Sequence, residues 1–221
     1  MLDNRNYVGH FGGPDNLSRH LITDFFELGH AGSSHLHVIA DGAHWIWKRV
    51  DELCQEHQTV TMILDYYHVS ERLGALTRAL FSEADAKGKK DEMVGYLFDE
   101  RYEDFFATLT AWTELKGAPD SQALAREALT YFGNNRDRLG YKACRDAGLP
   151  IGSGIVEGGV RFVGKDRLDK TGMRWSIPGA ERILQLRCLD ASQKWDNFWA
   201  DRARKRKQSY FASKQYWVLA A

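Results

Sequence analysis

The sequence predicts an α/β fold in which a small parallel sheet is followed by a long helical region. Two short apolar runs, Leu36–Ala40 and Val60–Leu64, have the length and composition of buried strands, and an aspartate follows each directly. Between them, the apolar residues from Trp45 to Glu56 recur with the spacing of an amphipathic helix. Strands that alternate with helices in this way are typical of a parallel sheet.

The amino-terminal residues extend the same pattern. Asn6–Phe11 is predicted to form a further strand, closed by two glycines and a proline, and Asp15–Leu28 has helical spacing. The first third of the chain is therefore expected to run strand, helix, strand, helix, strand.

After the second aspartate the periodicity becomes entirely helical. From Val69 to Leu139 apolar residues recur at helical spacing with no strand pattern between them, and a second helical region begins at Pro178. The predicted organisation has three parts: an α/β core at 1–68 and 148–177, a helical insertion at 69–147, and a helical, basic carboxyl-terminal region at 178–221.

The charge is balanced overall but unevenly distributed. Lys+Arg and Asp+Glu both number 30, yet residues 161–207 hold thirteen basic against six acidic side chains. The composition excludes a disordered chain, no apolar run has the length of a membrane span, and no signal peptide is recognisable. The three cysteines lack any metal-ligand spacing and predict free thiols, so a cytoplasmic protein is expected.

Two acidic residues follow the predicted strands. Asp41 stands at the carboxyl end of the first, where open α/β sheets bind ligands, and Gly42 permits a sharp exit; a turn acid that caps the next helix explains Asp41 equally well. Asp65 ends the second strand and begins an Asp-x-x-His pattern with His68, which by itself is a weak signal for metal binding or for orienting a neighbouring group.

A third acid lies in a glycine-rich segment at 152–159. Glu157 falls in the first turn of a predicted helix that Ser153 would cap, and an acid there is also explained by the helix dipole. Glycines destabilise a helix by roughly 1 kcal/mol each, so their presence indicates a close approach to another element or to a nucleic-acid strand. A phosphate-binding P-loop is excluded because the required Lys-Ser or Lys-Thr is missing.

The segment that follows is basic and contains an aromatic side chain. Lys165, Arg167, Lys170 and Arg174 have the charge to neutralise phosphates, and Trp175, expected to be exposed, has a ring able to stack on a base. A solvated loop is the alternative.

His35 and His37 lie on one face of a strand, but the sequence supplies no further ligand at zinc-site spacing.

Four motifs in this order resemble bacterial insertion-sequence transposases of the DDE type, of the ISKra/ISLre kind. The resemblance extends from about Tyr7 to Trp199, and it is carried by Ile39-Ala40-Asp41-Gly42-Ala43-His44-Trp45-Ile46-Trp47, Ile63-Leu64-Asp65-Tyr66-Tyr67-His68, Gly148-Leu149-Pro150-Ile151-Gly152-Ser153-Gly154-Ile155-Val156-Glu157 and Gly172-Met173-Arg174-Trp175-Ser176.

The resemblance implies an RNase H-like core and DNA strand cleavage and transfer during transposition. Asp41 and Glu157 would be the second and third catalytic acids, and Asp65 and His68 the signature that orients them. The acids would hold two Mg²⁺ or Mn²⁺ ions. The basic residues named above, with Trp175, would bind DNA; a homo-oligomer or a full-length transposase would be the protein partner, and the location would be the nucleoid.

The first acid of that triad has no counterpart on an apolar strand, since Asp3 is the only acid near the amino terminus. The expectation is therefore the carboxyl-terminal part of a transposase, with a partial core and an exposed sheet edge that favours association. The alternative is a catalytically inactive fragment that binds DNA or dimerises and modulates a full-length transposase. An RNase H-like nuclease acting on RNA and a small-molecule metal hydrolase explain fewer of the motifs.

Overall fold

The computed structural model describes residues 5–115, 118–170 and 172–218, and the side chains among them except those of residue 155 and residues 213–218. Asp3 lies outside the described residues. The two strands and the helices follow each other in this order: α1 (Pro14–Glu27), β1 (His35–Ala40), α2 (His44–Leu53), β2 (Thr59–Leu64), α3 (Tyr66–Leu80), α4 (Glu83–Phe98), α5 (Tyr102–Thr113), α6 (Pro119–Asn134), α7 (Tyr141–Asp146), α8 (Gly154–Gly159), α9 (Asp166–Leu168), α10 (Ile177–Ala191) and α11 (Trp195–Val218).

The chain divides into two compact units. One comprises residues 25–154, and the other comprises residues 1–24 and 155–221. Most described residues are helical, and β1 and β2 form a two-stranded parallel sheet. The predicted α/β combination of a parallel sheet with helices is confirmed at this level.

The unit at 25–154 is built on the β1–α2–β2 arrangement. The strands pair in parallel from His35 opposite Thr59 to Ala40 opposite Leu64, as their apolar composition predicts. The helices that follow bury their apolar stripes in one core with the strand ends, and the largest side chains of that core are almost wholly buried: Ile63, Leu64, Leu73, Leu76, Met93, Leu97, Phe105, Leu109, Phe132, Leu139 and Tyr141. The predicted helical character of the region after Val69 is confirmed.

The predicted strand at Asn6–Phe11 is wrong, because these residues form neither a strand nor a helix. Strand residues need a neighbouring strand for their backbone groups, and the described residues of this unit contain none. Side chains satisfy the backbone instead: the Tyr7 N–H donates to Ser192 Oγ at 2.8 Å, and the Phe11 N–H donates to the Glu181 carboxylate at 2.6 Å.

Glu181 on α10 is the centre of this attachment. The His10 imidazole contacts its other carboxylate oxygen, with 2.8 Å from Nδ1 to Oε1. Burial raises the pKa of Glu181, but the hydrogen bonds from the Phe11 N–H and from His10 outweigh it and hold the pKa below its usual value. The amino-terminal segment is therefore fixed to α10 by a charged acceptor.

A π-helical segment, Val160–Lys165, joins α8 to α9. Arg187 on α10 donates from Nε to the Val163 carbonyl oxygen at 2.7 Å and from Nη2 to that of Phe162. These donors satisfy carbonyl groups in the widened turn, where the regular α-helical pattern is interrupted. Within the described ranges, none of the helices combines the length and the apolar character that a membrane span requires.

Candidate functional site at the carboxyl edge of the sheet

The two aspartates predicted at strand ends leave the sheet side by side. Ala40 and Leu64 are the last paired residues of β1 and β2, and the ladder continues for one further bond, from the Asp65 N–H to the Ala40 carbonyl oxygen at 2.8 Å. Asp41 and Asp65 therefore follow adjacent strands at the same edge, as expected for the carboxyl ends of parallel strands.

Asp65 is buried, with 1% of its surface exposed, and it is held by hydrogen bonds. Its Oδ1 accepts from the Tyr67 N–H at 2.9 Å and so caps α3, while its Oδ2 accepts from the Ser153 hydroxyl. The Tyr66 N–H donates to the Ile151 carbonyl oxygen at 3.0 Å. The glycine-rich segment therefore lies directly against the end of β2.

Gly152 explains why this segment contains glycine. A Cβ atom at residue 152 would lie 2.7 Å from two ring carbons of Tyr67 and 3.4 Å from Asp65 Oδ1, which leaves no room for a side chain. The expectation that glycines mark a close approach is confirmed here, and the neighbour is another part of the protein. Ser153 stands just before α8, as expected of a cap, but its hydroxyl binds Asp65.

Asp41 has the opposite environment, because its side chain is exposed. Its Oδ1 accepts from the Ala43 N–H at 3.0 Å and closes a short turn before α2, but no side chain caps α2 itself, so only the turn half of the alternative reading of Asp41 holds. The next residue, Gly42, has a φ of +92°, and a Cβ atom there would lie 2.9 Å from both Leu64 Cδ1 and Tyr131 Cε2. Only glycine fits this exit, as the sequence predicts.

A tyrosine hydroxyl donates to the backbone of each strand end. Tyr131 on α6 donates to the Asp41 carbonyl oxygen at 2.7 Å, and Tyr141 on α7 donates to the Leu64 carbonyl oxygen at 2.9 Å. Burial raises the pKa of both hydroxyls, and the negative charge of Asp65 raises the pKa of each further. Both tyrosines are therefore neutral donors at physiological pH.

Arg72 on α3 lies over the Tyr131 ring, with 4.0 Å between the guanidinium carbon and the ring centroid. Its positive charge lowers the pKa of Tyr131 in opposition to burial, to Asp41 and to Asp65. The pKa of the Tyr131 hydroxyl thus depends on the charges of Asp41, Asp65 and Arg72, so all three charged groups lie close enough to this hydroxyl to interact with it.

His68 lies one turn into α3, with its side chain 42% exposed and Nε2 3.9 Å from Asp65 Oδ2. An imidazole nitrogen and a carboxylate oxygen at this separation are chemically suited to share a divalent cation. The arrangement also fits a histidine that is simply oriented by the acid, which is the signature role that the resemblance implies.

Glu157 and the predicted DNA-binding residues belong to the other unit. Glu157 lies in the first turn of α8, as predicted, and its side chain is exposed. A Cβ atom at the nearby Gly159 would lie 2.6 Å from Tyr7 Cε1. This glycine also permits a close approach between protein elements.

The basic side chains after α8 are exposed: Lys165, Arg167, Lys170 and Arg174. Trp175 is half-buried rather than exposed as expected, and the guanidinium carbon of Arg167 lies 5.4 Å from the centroid of its ring system. Its indole Nε1 is buried without a hydrogen-bond partner among the described residues. Its stacking on a base stays a prediction.

His35 and His37, both on β1, each contact another group of the protein. His35 Nε2 lies 2.9 Å from the Thr61 hydroxyl, and His37 Nε2 lies 2.7 Å from the Pro150 carbonyl oxygen. His35 therefore links the two strands, and His37 attaches the sheet to the segment that precedes the glycines.

Sequence reasoning missed Tyr131, Tyr141 and Arg72, and it did not connect Ser153 with Asp65. Tyr131, Tyr141 and Arg72 lie outside the four motifs, whereas Asp65 and Ser153 belong to two different ones. Comparison with protein-family models, curated proteins and solved structures finds no match to this chain. The function must therefore be inferred from the residues and their geometry.

Proposed function

We propose that this chain carries part of a DDE-type transposase catalytic domain with an RNase H-like core, which cleaves and transfers DNA strands with the help of divalent cations. The observation that carries the proposal is the pairing of β1 and β2, which brings Asp41 and Asp65 to one edge of a parallel sheet. Two acids at neighbouring strand ends provide the oxygen ligands that Mg²⁺ and Mn²⁺ prefer.

The donor set at this edge fits a hard divalent cation. Asp41 is exposed, and each Asp65 oxygen retains acceptor capacity beyond the hydrogen bonds described above, because a carboxylate offers about four lone-pair sites. Asp41 and Asp65 would be ligands, with His68 beside Asp65. Bound cations supply acidification of the attacking hydroxyl and stabilisation of the leaving oxygen.

The residues of the chain would orient the reacting groups. The hydrogen bonds from the Tyr67 N–H and Ser153 fix the Asp65 carboxylate, and Gly42 together with Tyr131 fixes the backbone that carries Asp41. The part of Glu157 as a further acid rests on the resemblance alone, as do the DNA contacts of Lys165, Arg167, Lys170 and Arg174.

The burial of Asp65 favours a second candidate function. Because its oxygens are engaged by Tyr67 and Ser153, this carboxylate has a structural role whether or not it binds a metal. A chain with one exposed acid at the edge and a basic carboxyl-terminal region also fits a catalytically inactive fragment that binds DNA or dimerises with a full-length transposase.

Nicking of supercoiled plasmid DNA in Mn²⁺ distinguishes the two candidates. We expect nicking by the full chain, with loss of nicking in Asp41→Asn and in Glu157→Gln. The matched control is Glu127→Gln, which removes an exposed acid from α6 and is expected to retain nicking. Loss of the free Mn²⁺ signal in electron paramagnetic resonance measures metal binding independently of DNA.

The outcomes separate clearly. Nicking that persists in both Asp41→Asn and Glu157→Gln would contradict the catalytic proposal. Salt-dependent DNA binding without any Mn²⁺-dependent nicking would support the inactive DNA-binding fragment.

A further inference from the structure

Arg72 on α3 influences the same tyrosine as the two strand-end acids, and the proposed function leaves this arginine without a role. It follows His68 by four residues on α3, so the two side chains lie on the same face of that helix. The Arg72 side chain is exposed, and its guanidinium carbon is 4.0 Å from the centroid of the Tyr131 ring. This is a close cation–π contact.

Tyr131 holds a fixed position, so the guanidinium group that stacks on it is also positioned. The hydroxyl donates to the Asp41 carbonyl oxygen at 2.7 Å, and the ring edge lies against the Gly42 backbone. Rotation of the side chain about χ1 would carry the hydroxyl away and break this hydrogen bond. Arg72 is therefore held beside the exit of β1 rather than extended into solvent.

Arg72 has an aromatic partner, whereas several other arginines of this chain have acidic ones. Arg49, Arg101 and Arg136 each form an ion pair with a glutamate or an aspartate. Among the described residues no acid lies within ion-pair distance of Arg72, although Asp41 and Asp65 influence the same tyrosine. Apart from its contacts with Tyr131, its planar group of N–H donors remains available to an anion with acceptor oxygens.

We propose that Arg72, held in place by Tyr131, binds a non-bridging oxygen of a nucleic-acid phosphodiester at the edge where β1 and β2 end. A phosphate that approaches two carboxylates meets repulsion, and a fixed guanidinium group beside them offsets it. The inference rests on the proposed function for the identity of the ligand and assigns this site a residue that binds the substrate.

Fluorescence anisotropy of a short labelled DNA duplex in EDTA tests this inference without any metal. Over a salt series, we expect Arg72→Gln to weaken binding about tenfold and to reduce the slope of log K against log salt by about 0.9. Arg72→Lys keeps the charge but loses the fork and the stacking, so it should retain the slope and recover only part of the affinity.

The matched control is Arg78→Gln, which removes an exposed arginine from the same helix. We expect it to bind the duplex as the unchanged chain does. Equal losses in Arg72→Gln and Arg78→Gln would show a general effect of charge and would overturn the proposal. Thermal unfolding of each variant verifies that the fold is retained.

Further outcomes separate this inference from the proposed function. Wild-type duplex affinity in Arg72→Gln, or absence of duplex binding by the full chain, would overturn the Arg72 assignment even if plasmid nicking is observed. Binding of duplex that depends on Arg72, without nicking, would support the assignment and contradict catalysis. A fluorescent ATP analogue that binds more tightly than duplex, in an Arg72-dependent manner, would overturn the choice of a phosphodiester.

Discussion

The ends of β1 and β2 occupy adjacent positions in the same sheet but have contrasting environments. An aspartate follows each strand directly, and a tyrosine hydroxyl from the helical region donates to the backbone at each strand end. Asp65 is buried and accepts two hydrogen bonds through its carboxylate, whereas Asp41 is exposed and accepts one from Ala43. The same residue type at the same position after the strand therefore has a structural role after β2, whereas after β1 its carboxylate is accessible to solvent.

This difference shows which acid is free for chemistry. A carboxylate that caps a helix and anchors a serine cannot be removed without disturbing the fold, so a loss of activity at Asp65 is ambiguous. A loss at Asp41 is informative, because its side chain supports only a local turn. Substitutions at Gly42, at Asp65, at the two tyrosines and at Asp41 test this contrast, and the expected loss in unfolding free energy decreases in that order.

Substitution of Gly42 by alanine should have the largest effect. The new Cβ atom would lie within 2.9 Å of Leu64 and Tyr131, and the φ of +92° is unfavourable for alanine. We expect a loss of about 3 kcal/mol in unfolding free energy, measured by urea denaturation. The control Gly88→Ala lies in α4 with open space around it, and it should stabilise by roughly 0.5–1 kcal/mol.

Asp65→Ala should come next, with a loss of about 2 kcal/mol, because the Tyr67 N–H and the Ser153 hydroxyl lose their acceptor. Asp65→Asn keeps an acceptor oxygen for the Tyr67 N–H and should recover about half of that loss. If Asp65→Ala were as stable as the unchanged chain, the structural role assigned to Asp65 would be contradicted.

The two tyrosines allow the strand ends to be compared directly. Tyr141→Phe leaves the buried Leu64 carbonyl without its donor and should cost about 2 kcal/mol, whereas Tyr131→Phe at the more exposed end should cost about 1 kcal/mol. Denaturation curves of the two variants measure this difference. A larger loss for Tyr131→Phe would reverse the assigned order of burial.

The same variants have a distinct signature in alkaline solution. The pKa of Tyr141 is raised in the folded state, so above a pH of about 10 the unfolded chain releases a proton that the folded chain keeps. Stability should therefore be unaffected by this group below that pH and fall as the pH rises above it. Tyr141→Phe should flatten this fall, and an unchanged slope above that pH would contradict the assignment of the fall to Tyr141.

Asp41→Asn should have the smallest effect on stability, less than about 0.5 kcal/mol, because asparagine can accept the same hydrogen bond from the Ala43 N–H. It should nevertheless reduce Mn²⁺ binding, measured by electron paramagnetic resonance, since an exposed carboxylate is replaced by a neutral amide. Unchanged Mn²⁺ binding would mean that Asp41 is only a turn residue.

Local sequence patterns were sufficient to predict much of this fold. The apolar runs located both strands, the helical spacing located α1, α2 and the helical region, and Asp41-Gly42 located a sharp exit. The strand predicted at Asn6–Phe11 failed because strand formation depends on a partner, and Glu181 supplies the acceptor there instead. A local pattern contains no information about that partner.

The candidate site could be predicted only in part. The positions of Asp41 and Asp65 follow from the ends of parallel strands. The stacking of Arg72 on Tyr131 joins residues on separate helices, and the contact of Ser153 with Asp65 joins residues 88 positions apart. Such contacts arise from packing, which spacing within one segment does not encode.

The hydrogen bond between Ser153 and Asp65 also has a consequence for the order of folding. The strands β1 and β2 are close in sequence, so their pairing closes a short loop, whereas the serine arrives only after a loop of 88 residues has been closed. We expect the two strands to associate early and the surroundings of Asp65 to be completed in the last steps. An incompletely synthesised chain would then expose this carboxylate to water, and its environment would become native only when the whole helical region is folded.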